Sequence, residues 1–268
     1  MGIEQRVRVG VGGWTYEPWR DNFFPAGLAH SQELAYASRK LTAIEVNGTY
    51  YSTQKPESFA RWRDETPEGF VFSLKASRYA TNRKLLATAG DSIERFVGSG
   101  IDQLGDKLGP IVWQFMPTKK FEAEDFEAFL RLLPADVGGR KLRDVLDVRH
   151  PSFMTAEYLA LARRHHCATV FADSDEYPSF ADLTGDFVYA RLMRTESRFK
   201  SGYSPKALDD WAAAARSWAG GGEPDDLPHI EGPGRAGKPR DVFMYFISGA
   251  KERAPAAAMA LLQRLVPA

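Results

Sequence analysis

One cysteine, Cys167, is all the chain has, so an internal disulfide is excluded and a reducing compartment fits. Long apolar runs are also missing. No stretch approaches the roughly 18 uncharged apolar residues that a membrane span needs, and residues 1–14 hold no run of signal-peptide length. Arg6 stands where a myristoylation signal needs Ser or Thr. These absences point to a cytoplasmic protein without a membrane partner. Neither sign of charge is in excess, with 35 Lys+Arg against 35 Asp+Glu. That balance excludes a chain whose main business is coating nucleic acid or an anionic membrane, while leaving room for a local basic site. Cysteine-based and HxxH-type spacings are lacking, and only His150, Glu45, Asp147 and Asp173 could serve as ligands, so no metal is expected. The glycines at 10, 12 and 13 do not form a dinucleotide fingerprint, because the third is misplaced and Pro18 stands where a helix should run. No cofactor is expected.

What is present is a repeated alternation. Short apolar, β-branched runs occur at 7–11, 43–46, 70–74, 110–115, 144–148, 168–172, 187–190 and 242–247. Near-continuous apolar runs of this length read as strands buried on both faces, the mark of a parallel sheet. Helix-like stretches lie between them. Ser31 is positioned to cap one running to about Lys40, and Pro56 opens a short one through Trp62. Residues 123–133 carry Phe126, Phe129, Leu130 and Leu133 at helical spacing. Thr155 caps a stretch through His166, Ser204-Pro205 starts one ending near Gly220, and residues 255–265 close the chain. The region after the sixth run, 175–184, holds at most a short helix. The Gly- and Pro-rich stretch 220–240 reads as a mobile loop. Eight such units predict one domain over 1–268, an α/β fold of the single (β/α)8 TIM-barrel type with parallel strands and its site at the C-terminal mouth.

At the carboxyl ends of those runs the polar residues gather. The first leads to Trp14 and Tyr16, and the second carries Glu45, Asn47 and Tyr50. The third ends in Lys75, the fourth offers Gln114, and the fifth offers Asp147, Arg149 and His150. The sixth ends in Asp173, the seventh in Arg191, and the eighth leads to Ser248. Burying so many charges at one end is costly without a use, so a functional mouth outweighs a purely structural lattice. Glu45 and Asp147 fit an acid/base pair, or else each holds Lys75 or Arg149. Lys75 fits an ion-paired lysine better than a Schiff-base nucleophile. His150, at a strand exit, is the best general acid/base among the five histidines. Asp173 completes the catalytic candidates. Trp14, Tyr16, Asn47, Tyr50, Gln114, Arg149, Arg191 and Ser248 are the ligand-binding ones. Arg191, Arg194, Arg198, Lys200 and Lys251, with Ser248 and Gly249, could form an anion site after the seventh and eighth strands, or a solvated basic loop.

Several segments together resemble the domain-of-unknown-function 72 (YecE-like) family. They are 12–16 with Trp19, 23–25, 45–51, 72–75, 109–115, 147–153 and Asp173, and they run nearly end to end. The resemblance implies a TIM-barrel-type fold and the location of the site, without a reaction. The chain departs from the family pattern where Thr-His is usual after the third-strand lysine and Arg-x-His-Gly at the seventh strand. It also departs where paired asparagines are usual after the eighth strand, and where Glu and Trp are favoured over Asp147 and Phe153. The leading expectation is an enzyme or binder for a small anionic, phosphorylated or carbohydrate-like ligand. The alternative is nucleic-acid binding through a basic, aromatic-lined mouth.

Overall fold

The computed structural model describes Gly2, residues 6–234 and residues 237–266. Eight strands close into a barrel: β1 Val7–Gly12, β2 Ala43–Val46, β3 Val71–Lys75, β4 Leu108–Gln114, β5 Asp144–Asp147, β6 Ala168–Asp173, β7 Phe187–Leu192 and β8 Asp241–Phe246. Every neighbouring pair is parallel, and spatial order follows chain order until β8 returns to pair with β1.

Two apolar layers result from the period-two alternation of each strand. One set of side chains fills the barrel interior, among them Val71, Val112, Val145, Phe187, Tyr189 and Phe243. The other set faces outward against the helices, as do Val9, Ile44, Phe72, Trp113, Leu146 and Met244. Gly10 belongs to the inner set. A Cβ there would lie 1.9 Å from the Ala43 carbonyl oxygen and 3.3 Å from the Tyr245 ring, so only glycine lets β1 and β2 approach around that tyrosine.

The helices form for local reasons. Helix Pro56–Glu65 has proline in its first turn and buries Phe59 and Trp62. Helix Ala123–Leu132 buries Phe126, Phe129 and Leu130 along one face. Thr155 accepts the Tyr158 N–H and Ser204 the Ala207 N–H, capping helices Ala156–Arg164 and Pro205–Ala219. Helix Ala254–Leu265 closes the ring. Ser31 does not act as the expected cap. It lies inside a 3-10 turn, His30–Gln32, and the α-helix that follows is only Glu33–Ala37.

Between β6 and β7 there is no helix at all. An extended strap takes its place. Phe180 and Ala181 are buried, and the Ala181 N–H donates to the Pro228 carbonyl. The Asp182 carboxylate accepts the N–H groups of Ile230 and Glu231 at 2.7 and 2.9 Å. The 220–240 segment therefore packs against the place where a sixth helix would lie. Its residues 235–236, within the stretch expected to be mobile, lie outside the described residues, and the remainder carries no helix or strand.

Candidate functional site

Strand alternation decides which side chains enter the barrel. Glu45 follows Ala43 inward, Lys75 follows Ser73, Asp147 follows Val145 and Arg191 follows Tyr189. All four sit at the carboxyl ends of their strands, and all are buried. Arg191 is the hub. Its Nε donates to Glu45 Oε2 at 3.0 Å and its Nη2 to Glu45 Oε1, a two-pronged pair. Its Nη1 donates to Asp147 Oδ2 at 2.6 Å. Tyr189 adds its hydroxyl to Glu45 Oε2 at 2.7 Å. Arg149 extends the lattice toward solvent, donating to Asp147 Oδ2 at 3.0 Å and to Gln114 Oε1 at 2.9 Å, with its guanidinium 4.4 Å from the Tyr177 ring centre. Below the ring, Ser73 and Tyr245 share a hydrogen bond of 2.7 Å.

The electrostatics follow from these partners. Burial works to raise the Glu45 and Asp147 pKa values, but the Arg191 charge, joined by hydrogen bonds and by Arg149 at Asp147, holds both below the ordinary carboxylate range. Both are ionised at neutral pH. Two carboxylates and two guanidinium groups cancel, and Lys75 is left over. Its ammonium makes no hydrogen bond or ion pair to any described residue and lies 4.5 Å from the centre of the Tyr50 ring. Burial and the Arg191 charge lower its pKa to about 8, against the opposing pull of the Glu45 and Asp147 charges. The expected pairing of Lys75 with a carboxylate is therefore absent, because Arg191 reaches both acids first.

A second unmatched ammonium closes the other flank. Lys251, just after β8, lies 4.3 Å from the Tyr16 ring centre and 5.9 Å from that of Trp19, again with no anionic partner among the described residues. Burial lowers its pKa. Trp19 fixes it by donating its indole N–H to the Lys251 carbonyl at 2.8 Å. Lys251 helps line a cavity of about 290 Å³ at the ends of β1 and β2, with Gly13, Trp14, Tyr16, Asn47 and Trp62. In barrel order β3, β2, β1, β8, the two lysines bracket Asn47 and the Gly12-Gly13 backbone.

Other expected residues stand apart. His150 is turned to local structure: its Nδ1 accepts the Ser152 N–H at 3.1 Å and lies 2.8 Å from the Ser152 hydroxyl, and it has no hydrogen bond or ion pair with the acids of the ring. Asp173 accepts the Tyr203 hydroxyl at 2.9 Å and pairs with Arg194 at 3.2 Å. Burial raises its pKa despite these two partners. The Ser248 carbonyl accepts the Thr195 hydroxyl at 2.8 Å, and Ser248 lines a separate hollow with Asp175, Arg194 and Glu196. Arginines expected to hold an anion there are already matched, Arg194 with Asp173 and Asp175, and Arg198 with Glu196.

Tyr189, Tyr245, Ser73 and Tyr203 were not singled out from sequence. Tyr189 was legible in principle, two residues before Arg191 on the same strand face. Tyr203 lies in a loop, and only the fold brings it to Asp173. Among the described residues, no three His, Cys, Asp or Glu side chains converge as metal ligands. A larger hollow of about 650 Å³ opens at the opposite end, beside Asp144, His165 and Cys167. Burial pushes the Cys167 thiol pKa far up, which leaves it inert as a nucleophile.

A closed parallel barrel with a charged lattice at its carboxyl mouth defines the class as a TIM-type α/β barrel. The family model described as Protein of unknown function DUF72 matches residues 8–268, and the chain belongs to that family. UPF0759 protein YecE of Escherichia coli (strain K12) is 25% identical over 147 residues, 55% of this chain and 50% of that protein. The chain spans about half the length of the curated relatives it matches. A DUF72 family protein from Thermotoga maritima MSB8 superposes with a TM-score of 0.68 at 21% identity, covering 96% of each chain. Another, from Enterococcus faecalis V583, gives 0.66 at 12% identity, covering 97% of this chain and 94% of that one. At these identities the likeness speaks for the fold.

Proposed function

We propose that the barrel mouth binds a small anionic ligand through Lys75 and Lys251, as the substrate-holding part of an enzyme. One observation carries this reading. Each arginine named at the mouth already has a carboxylate partner, whereas neither lysine ammonium makes an ion pair with a described residue and each lies against an aromatic ring. An ammonium withdrawn from water without a counter-ion is costly to keep, and a ligand phosphate or carboxylate supplies what is missing. The Glu45–Arg191–Asp147 lattice serves as the rigid frame that holds Lys75 in place. With a pKa of about 8, Lys75 also exchanges a proton readily near neutral pH.

Thermal unfolding with inorganic phosphate, malonate and a hexose phosphate tests the reading. At one hundred times its dissociation constant, a bound probe stabilises the fold by about 2.7 kcal/mol. Lys75→Met and Lys251→Met, each removing charge at similar length, are expected to abolish that gain. Undiminished stabilisation of both variants, or none of the wild type by any probe, would sink the proposal.

A further inference from the structure

A separate surface lies on the rim, built by the loops that follow β2, β3 and β4. From residue 69 to residue 90 the chain has four cations and no acid, although the whole sequence is charge-balanced. Folding concentrates this bias. Arg78 lies between two exposed tyrosines, its guanidinium 5.8 Å from the Tyr51 ring centre and 5.4 Å from that of Tyr79. Tyr51 is 61% exposed and Tyr79 60%. The strip continues through Arg83, whose Nε donates to the Tyr79 carbonyl. It reaches Lys84, whose carbonyl accepts the Lys119 ammonium at 2.9 Å. Beyond lies a hollow of about 440 Å³ lined by Lys84, Met116 and Lys120 among others. Arg78, Lys84 and Lys120 are exposed and make no ion pair with any described residue. Glu122 lines that hollow, and Asp125 is already paired with Lys119 at 2.9 Å.

Exposed flat rings beside unmatched cations suit a ligand that is both anionic and planar along its length. An acidic peptide offers charge without rings to stack. A duplex hides its base faces. We infer that this rim is a binding strip for single-stranded nucleic acid, with bases stacked on Tyr51 and Tyr79 and phosphates met by Arg78, Lys84 and Lys120. The strip uses neither Lys75 nor Lys251 and stands or falls independently of the mouth.

Fluorescence anisotropy with a labelled single strand of about 12 nucleotides tests it, a length within the usual range for one such groove. Three phosphate contacts predict affinity about 20-fold weaker at 200 mM than at 50 mM salt. The double variant Tyr51→Ala/Tyr79→Ala is expected to lose at least about fivefold per ring, with the salt slope kept. Lys84→Gln/Lys120→Gln is expected to flatten the slope by about 1.4. All four side chains are exposed, and an unchanged melting temperature checks that each variant folds. Three results would overturn the inference: no complex at 50 mM salt, equal binding of the matching duplex or of polyglutamate, or tyrosine variants that bind as the wild type does.

Discussion

Asp144 makes stability depend on pH in a direction that can be worked out beforehand. It opens β5 at the barrel end opposite the mouth and accepts the Trp113 indole N–H at 2.7 Å. No cation pairs with it among the described residues. Burial pushes its pKa up from 3.8 to about 6, with the indole hydrogen bond only partly offsetting. The folded chain therefore holds a proton between pH 4 and 6 that the unfolded chain has released. The fold binds more protons in that window, so stability falls as pH rises through it and levels off above 6. At about 1.4 kcal/mol for each tenfold change in acidity, the loss is at most about 3 kcal/mol. Asp144 keeps some contact with solvent, so about 2 kcal/mol is expected. Asp144→Asn keeps the acceptor for Trp113 and removes the charge. It should match the wild type at pH 4 and exceed it by about 2 kcal/mol at pH 8, roughly 4–8 °C in melting temperature for a chain of this size. Paired thermal melts from pH 4 to 8 make the comparison. A difference that does not vary with pH, or a variant less stable at pH 8, would refute the reasoning.

Arg191→Met leaves Glu45 and Asp147 buried without their shared partner and should cost about 3–5 kcal/mol, read by urea unfolding. Tyr189→Phe removes one hydrogen bond to a buried carboxylate and should cost about 1.5–3 kcal/mol in the same assay. Lys75 is depressed to about 8, so phosphate binding should weaken as pH rises through 8. Titrations at pH 7 and 9.5 would show this, and Lys75→Met should bind phosphate at neither pH. Without ligand, the same depression means the unfolded chain binds the extra proton above pH 8. The Lys75 contribution to stability should therefore rise with pH between about 8 and 10.5 and disappear in Lys75→Met.

The barrel was legible because buried parallel strands need continuous apolar runs, and six of the eight crossovers or closing segments announce themselves by caps, prolines or helical spacing, although the cap expected at Ser31 does not form. The mouth was legible for a related reason: a strand that must end in charge, as Arg191 and Glu45 do, breaks its own apolar run. The missing helix between β6 and β7 was visible as a weak pattern, but not the strap that replaces it. Asp182 meets Ile230 across almost fifty residues, and no local signal encodes that meeting.

Partner choice belonged to the tertiary structure. The sequence left open whether Glu45 and Asp147 form an acid/base pair or each hold Lys75 or Arg149. Closing the barrel sets Arg191 between both carboxylates, where its planar guanidinium meets Glu45 through two N–H groups and Asp147 through a third. Lys75 is left against the Tyr50 ring for that reason, Lys251 lies against Tyr16 on the other flank, and His150 is drawn into a turn. The sequence by itself determined the kind of fold and which end bears the charge, because periodicity is a local property. Only the closed barrel decided which charges cancel and which remain, because that depends on distances across the ring.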